Sequence, residues 1–143
     1  MASANFRNLP VALAKAQIDF STATFKALLV TAVPSESNLD TWVDRADVTT
    51  EHAASGAYTT GGFAVTASVG AVDTANNRVD ITFAASNPVF TESTISAAGA
   101  IVYVSTGVAA NDLLVAFVDF GATVESTNGD YSVTFSSPLR ITA

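Results

Sequence analysis

The pattern of apolar and polar residues along the chain is typical of strands rather than of long helices. Residues 63–72 form a β-branched, Ala-rich run, and residues 79–83 alternate strictly between apolar and polar side chains. The segment between them, from Asp73 to Asn77, consists mostly of turn-forming residues. Because Asn and Asp tolerate the positive φ of a tight turn, the two strands are predicted to form a hairpin.

Four other segments also have the character of strands. Residues 24–33 are rich in apolar side chains and end at Pro34, as expected for a largely buried strand followed by a loop. Residues 100–105 are nearly all apolar, which predicts a central strand covered on both faces, and residues 113–120 are predicted to run back beside it. Residues 131–135 alternate between apolar and polar side chains, which predicts a further strand.

These strand signals, separated by turn residues, predict the fold class. A chain of 143 residues suits one domain, so residues 1–143 are treated as a single unit. Short strands that recur with turn chemistry between them favour an all-β fold. The prediction is an antiparallel β-sandwich or a jelly-roll-like barrel with a short N-terminal helix or arm.

Two stretches depart from the strand pattern. The N-terminal arm, residues 1–20, contains apolar residues at spacings that suit a short helix as well as a strand, and both alternatives stay open. Residues 39–44 suit one helical turn with Asn38 as its N-cap. Around that turn, residues 34–62 form a long polar region, and loops of such length are usually functional surfaces or arms that reach a neighbour.

Composition and charge narrow the function classes. Hydrophobic residues make up 49% and charged residues 13% of the chain, which excludes a disordered protein. The formal net charge of −7, with six Lys and Arg, leaves little to neutralise phosphates, so no nucleic-acid partner is expected. The longest apolar stretches are about eight residues, far below the ~20 that span a bilayer, and no membrane partner is expected.

Candidate chemistry is sparse. There is no Cys, and His52 is the single histidine, whereas zinc usually requires several imidazole or thiolate ligands. A serine triad would have to use that same histidine. Asp73, Asp112 and Asp130 stand where turn formers are expected rather than in a paired-carboxylate arrangement. We therefore predict no enzymatic activity, no metal and no cofactor, and interpret His52 as a solvated loop residue.

Four residues are candidates for contact with a partner. Phe6 and Leu9 lie in the N-terminal arm, and Trp42 and Tyr58 lie in the long polar region. An exposed Trp and Tyr could stack on a glycan or anchor a protein interface. The alternative is that Trp42 folds back and caps the sandwich.

Several short motifs, taken in order, resemble those of a group of small tailed-bacteriophage proteins. The resemblance covers nearly the whole chain, although each motif is short. The motifs are Ile18-Asp19-Phe20, Thr24-Phe25-Lys26-Ala27-Leu28-Leu29-Val30-Thr31, Gly56-Ala57-Tyr58-Thr59-Thr60-Gly61-Gly62, Ala100-Ile101-Val102-Tyr103, Phe117-Val118-Asp119-Phe120-Gly121 and Asn128-Gly129-Asp130-Tyr131-Ser132-Val133. Pro10 and the lack of a Trp in the middle strand depart from the group's pattern.

The resemblance implies a β-rich virion structural protein that is assembled in the host cytoplasm. The leading expectation is a capsid decoration (cement) protein on the outer face of a phage head, with the major capsid protein and further copies of itself, as a homotrimer, for partners. A fibre-base or adhesin module that binds host glycan or another fibre protein is the alternative from a different class. A head-to-tail or tail component is a third possibility. Residues 1–20 and 34–62 are expected to make the contacts.

Overall fold

Strands dominate the computed structural model, which describes residues 3–85, 89–135 and 138–142. Two short helices accompany them, α1 (Leu9–Ala14) and α2 (Glu36–Thr41). The strands of the described residues are β1 (Ala4–Asn5), β2 (Phe25–Val30), β3 (Phe63–Asp73), β4 (Arg78–Ala85), β5 (Val89–Ser93), β6 (Ser96–Val104), β7 (Leu114–Glu125), β8 (Gly129–Ser132) and β9 (Leu139–Thr142). The predicted all-β class is confirmed.

Seven of the strands form one antiparallel sheet that curls into a nearly closed barrel. Their order is β1-β7-β6-β2-β3-β4-β9, while β5 and β8 pair separately. The curling brings the two edge strands together, so that Asn5 Nδ2 donates to the carbonyl of Arg140 at 3.4 Å. The first and last strands of the chain therefore lie on either side of the gap in the barrel.

The predicted hairpin is confirmed as β3 and β4. Val65 lies opposite Ala85 at one end and Asp73 opposite Arg78 at the other, with a bulge in between. The Asp73 carboxylate accepts the backbone N–H of Ala75 at 3.1 Å and thereby closes the turn. The turn-forming residues 73–77 thus determine where the hairpin turns.

The barrel interior holds the main core. Three aromatic rings pack together there, with centroids 5.4 Å apart for Phe20 and Phe25 and 5.8 Å apart for Phe25 and Phe83. Alternate residues of the strands supply many of the other interior side chains, since successive side chains of a strand point to opposite faces. Among them are Ala27, Leu29, Val65, Ile81, Val102 and Leu139.

A second core lies outside the barrel, on the outward faces of β2, β6 and β7. It joins apolar side chains of these strands to residues of the N-terminal arm and of α2. Its members are Phe6, Leu28, Val30, Leu39, Trp42, Ile101, Tyr103, Leu114 and Phe117. This outer layer explains why β6 is buried at every residue after Ser96, and it confirms the prediction of a central strand covered on both faces.

The helices settle two details of the sequence interpretation. The N-terminal arm does contain a helix, α1, with Pro10 in its first turn, where the missing N–H costs nothing. The other helix begins earlier than predicted. Its N-cap is Ser35, not Asn38, because the Ser35 hydroxyl accepts the Asn38 N–H at 3.1 Å and the Asn38 side chain accepts the Ser35 N–H in return.

Candidate functional site in residues 34–62

The four residues predicted to contact a partner have buried side chains. Trp42 is 8% exposed, and Phe6, Leu9 and Tyr58 are 2% or less. Phe6 and Trp42 cover the outward faces of the central strands, whereas Leu9 and Tyr58 pack into the main core. The expectation that these side chains are presented to a partner is corrected: Phe6 and Trp42 cover the apolar outer face of the barrel, and Leu9 and Tyr58 help to fill the main core. Of the two interpretations of Trp42, the structure shows the folded-back one.

Two tyrosines fix the long polar region to the barrel through buried hydrogen bonds. The Tyr58 hydroxyl accepts the N–H of Leu29 at 2.9 Å, and the Tyr103 hydroxyl donates to the carbonyl of Gly61. Burial raises the pKa of Tyr58 well above its usual value, and burial likewise raises the pKa of Tyr103 to about 12. Both rings therefore keep their protons at neutral pH and act as structural anchors rather than as nucleophiles or bases.

A partly buried ion pair joins the same region to the turn between β6 and β7. Arg45 Nε lies 2.9 Å from Asp112 Oδ2, and the guanidinium carbon sits 5.5 Å from the centre of the Tyr103 ring. Burial alone would raise the pKa of Asp112, but hydrogen bonds from the Thr106 N–H and hydroxyl and from Arg45 outweigh it and hold the pKa below the usual range. Asp112 is thus a turn former, as predicted, and also the acceptor for a distant cation, which its position in sequence does not reveal.

His52 is half-buried rather than fully solvated. Its Nε2 accepts the backbone N–H of Ser96 at 3.2 Å, and its Nδ1 lies 2.6 Å from the carbonyl of Ala53. The neighbouring Glu51 carboxylate accepts the N–H of Gly61. These hydrogen bonds hold residues 51–53 in place against the barrel. Among the described residues there is no group of three or more His, Cys, Asp or Glu side chains that could hold a metal ion.

The exposed apolar surface lies elsewhere than the predicted contact residues. The end of the β3–β4 hairpin carries Val72, at 70% the most exposed large apolar side chain of the residues that the structure describes, and Val69 is 50% exposed. Val11 and Val43, in the two predicted contact segments, are 46% and 37% exposed. Sequence reasoning missed the hairpin end because alternation predicts which side chains face a core, and here the strands continue beyond the core.

A groove of about 370 Å³ runs along the gap in the barrel. Its floor includes core residues such as Phe83 and Val102, and its rim includes Asn5 and Arg140. A second groove of about 300 Å³ follows β7 and β8, where the hydroxyl of Tyr131 is buried and has no hydrogen-bond partner among the described residues. Burial raises the pKa of Tyr131 to about 12.

Comparison with known proteins gives no relative from which the role of these residues and grooves could be inferred. No family model, no curated protein and no solved structure matches the chain. Within the described residues, no helix is long and apolar enough to cross a membrane.

Proposed function

We propose that the chain is a virion structural protein, a capsid decoration (cement) protein that binds the outer surface of a phage head and stabilises it. The partners are the major capsid protein and further copies of the chain, arranged as a homotrimer. The proposal rests on the sequence resemblance to small tailed-phage proteins and on one structural observation, the exposed and uncharged stretch of β3 from Thr66 to Val72. No sugar, nucleotide or metal is required by this role.

The observation that carries the proposal is the exposed end of the β3–β4 hairpin. From Thr66 to Val72 every residue but Ala67 is exposed, and none carries a charge. Uncharged side chains of this size can be covered by another protein with little desolvation cost, since no ion has to leave water. A surface of this kind suits permanent assembly.

The two segments expected to make contacts support the proposal in a revised form. Their large side chains hold them against the barrel, so what they offer a neighbour is a fixed surface rather than a flexible arm. Val11 and Val43 remain exposed on that surface. A preorganised surface loses little conformational entropy on binding, and many identical copies on one particle add avidity.

The glycan-binding alternative was based on Trp42 and Tyr58, and the structure does not support a role for either residue in such binding. Trp42 and Tyr58 face the core, and neither ring is available for stacking on a sugar. Glycan binding therefore enters as an outcome of the test, together with binding to tails or fibres.

The test mixes purified protein with undecorated heads, with tails and with fibres of its phage, and measures co-sedimentation. We expect saturable binding to heads alone, and free protein that sediments as a trimer of the 14.6 kDa chain. Val72→Asp should weaken binding to heads at least about tenfold, since it places an ion in a covered surface. Val108→Asp is the matched control, because Val108 is also exposed, at 53%, but lies in the turn between β6 and β7.

Three results would overturn the proposal. The first is absence of saturable binding to heads by folded protein. The second is saturable binding to tails, to fibres or to a glycan array in place of heads. The third, loss of binding in both Asp variants to the same degree, would remove the hairpin end as the contact surface.

A further inference from the structure

The imidazole of His52 is held between two backbone groups that fix its protonation state. The carbonyl of Ala53, next to Nδ1, can only accept a hydrogen bond, so Nδ1 carries the proton. The N–H of Ser96, next to Nε2, can only donate, so Nε2 must present its lone pair. The observed arrangement therefore requires the neutral ring with its proton on Nδ1.

The bond to Ser96 is one of several that tie residues 50–58 to the barrel. On the β2 side, the N–H of His52 donates to the carbonyl of Leu29 at 2.8 Å. On the β5 side, the N–H of Thr94 donates to the Ser55 hydroxyl at 2.9 Å. Neither of these two bonds changes when an imidazole takes up a proton, whereas the Ser96 bond does.

The charged and titratable groups around His52 come from three places. Glu51 precedes it on the same segment, and its carboxylate is engaged by a backbone N–H. Glu125, at the end of β7, accepts the Ser96 hydroxyl at 3.1 Å and so lies one hydrogen bond away from the ring's partner. The Tyr58 ring packs edge-on to the imidazole with centroids 6.1 Å apart. The adjoining part of β2, Leu29 and Val30, is apolar and contributes no charge.

We propose that His52 is a pH-sensitive latch that fastens residues 50–58 to the start of β6. Protonation of Nε2 places an N–H against the N–H of Ser96, so the bond is lost and the two donors repel. The Glu125 carboxylate, which accepts the Ser96 hydroxyl, remains as an acceptor close to Ser96. The bonds to Leu29 and Thr94 hold, because neither of them involves the imidazole.

Loss of the hydrogen bond between His52 and Ser96 is a local change, and it does not depend on the proposed capsid role. The segment stays attached to β2 and to β5, and only its link to the start of β6 is broken. Because residues 50–58 belong to the long polar region, the exposed surface of that region changes with pH. The consequence applies to whichever partner binds there.

The test is amide hydrogen exchange of the intact ¹⁵N-labelled chain at about pH 5 and about pH 8, corrected for the intrinsic effect of pH on exchange. We expect the protection of the Ser96 amide to fall at least about tenfold at the lower pH. The amides of Thr31 and Val104, bonded to Thr50 and Leu113, serve as internal controls and keep their protection. Long-range ring correlations should place the proton on Nδ1 at about pH 8.

The variant His52→Gln tests the cause, because a Gln carbonyl accepts the Ser96 N–H at either pH. Its Ser96 amide should be equally protected at both pH values. If His52→Gln does not fold, the wild-type measurements decide alone. The proposal is wrong if the His52 ring becomes protonated while Ser96 protection stays constant, if the ring carries its proton on Nε2 at about pH 8, or if His52→Gln shows the same loss in acid.

Discussion

Arg45 and Asp112 form an ion pair across 67 positions of sequence, with Nε and Oδ2 2.9 Å apart. Asp112 is 1% exposed, and its other oxygen accepts the N–H and the hydroxyl of Thr106. The same Arg45 side chain lies over the ring of Tyr103. One carboxylate thus closes the turn between β6 and β7 and also holds residues 34–62 against that end of the barrel.

Replacing Asp112 should lower stability in a pH-dependent way. Asp112→Asn leaves Arg45 without its anion and should reduce the free energy of unfolding at pH 7 by about 2–3 kcal/mol. Because the pKa of Asp112 is lowered in the folded state, its contribution is present above the usual value of about 3.9 and is lost as pH falls through the folded value. Urea unfolding between about pH 7 and pH 3 checks this. A difference that grows on acidification would contradict it.

The hydroxyl of Tyr58 should matter more than that of Tyr131. Tyr58→Phe deprives the buried Leu29 N–H of its acceptor, which should cost about 1–3 kcal/mol in urea unfolding. Tyr131→Phe is the matched control, since its buried hydroxyl has no partner among the described residues. We expect that control to be neutral or slightly stabilising. Equal losses in the two variants would show that the Leu29 bond is not what Tyr58 contributes.

All three tyrosines of the chain should resist ionisation in the folded protein. Burial raises the pKa of Tyr103 and Tyr131 to about 12 and that of Tyr58 further. A raised folded pKa contributes stability that is complete below the unfolded value of about 10 and is lost as pH rises through the folded value. Tyrosinate absorbance at 295 nm should therefore appear together with alkaline unfolding. A fraction titrating near pH 10 in folded protein would contradict the burial of that ring.

Gly62 should tolerate no side chain. Its φ is +77°, and a Cβ there would lie 1.8 Å from the carbonyl oxygen of Ala27, so Gly62→Ala should cost about 2–5 kcal/mol. Gly107→Ala is the control with a similar φ of +89° and no atom within 4 Å of the added Cβ. It should cost only the backbone strain, about 1–2 kcal/mol. Thermal unfolding of both variants separates the close approach from the strain.

Trp42 reports directly on the outer core. As the only Trp, at 8% exposure, it should resist quenching by acrylamide in the folded chain and become accessible on unfolding. Trp42→Ala should cost about 3–5 kcal/mol, because it removes the largest side chain that covers the outward face of the barrel. For that reason a loss of binding in this variant would report on folding and not on a glycan contact. Efficient quenching of the native fluorescence would contradict the folded-back position.

Two of the strand pairs could be predicted because their signals are local. The β3–β4 hairpin follows from two strand patterns and the turn residues after Asp73, and the pairing of β6 with β7 follows from the turn between them. The Ser35 N-cap was missed because both Ser35 and Asn38 suit a cap, and only the three-dimensional hydrogen bonds distinguish them.

The burial of Phe6, Leu9, Trp42 and Tyr58 depends on contacts distant in sequence, so local patterns could not place these residues. One signal was present nevertheless. The apolar character of β6 predicted cover on both faces, and cover on the second face has to come from apolar residues outside the strands. Phe6 and Trp42 were available for that purpose, and the structure uses both.

The meeting of β1 and β9 has a kinetic consequence. Asn5 and Arg140 are separated by 135 positions, and Ala4 pairs with Phe117, so the gap in the barrel closes only when segments far apart in the sequence meet. Contacts of such sequence separation form late and slow the folding of β-rich domains. We therefore expect the groove along the gap to be the last part of the barrel to close during folding, and the place where an incompletely folded chain exposes its core.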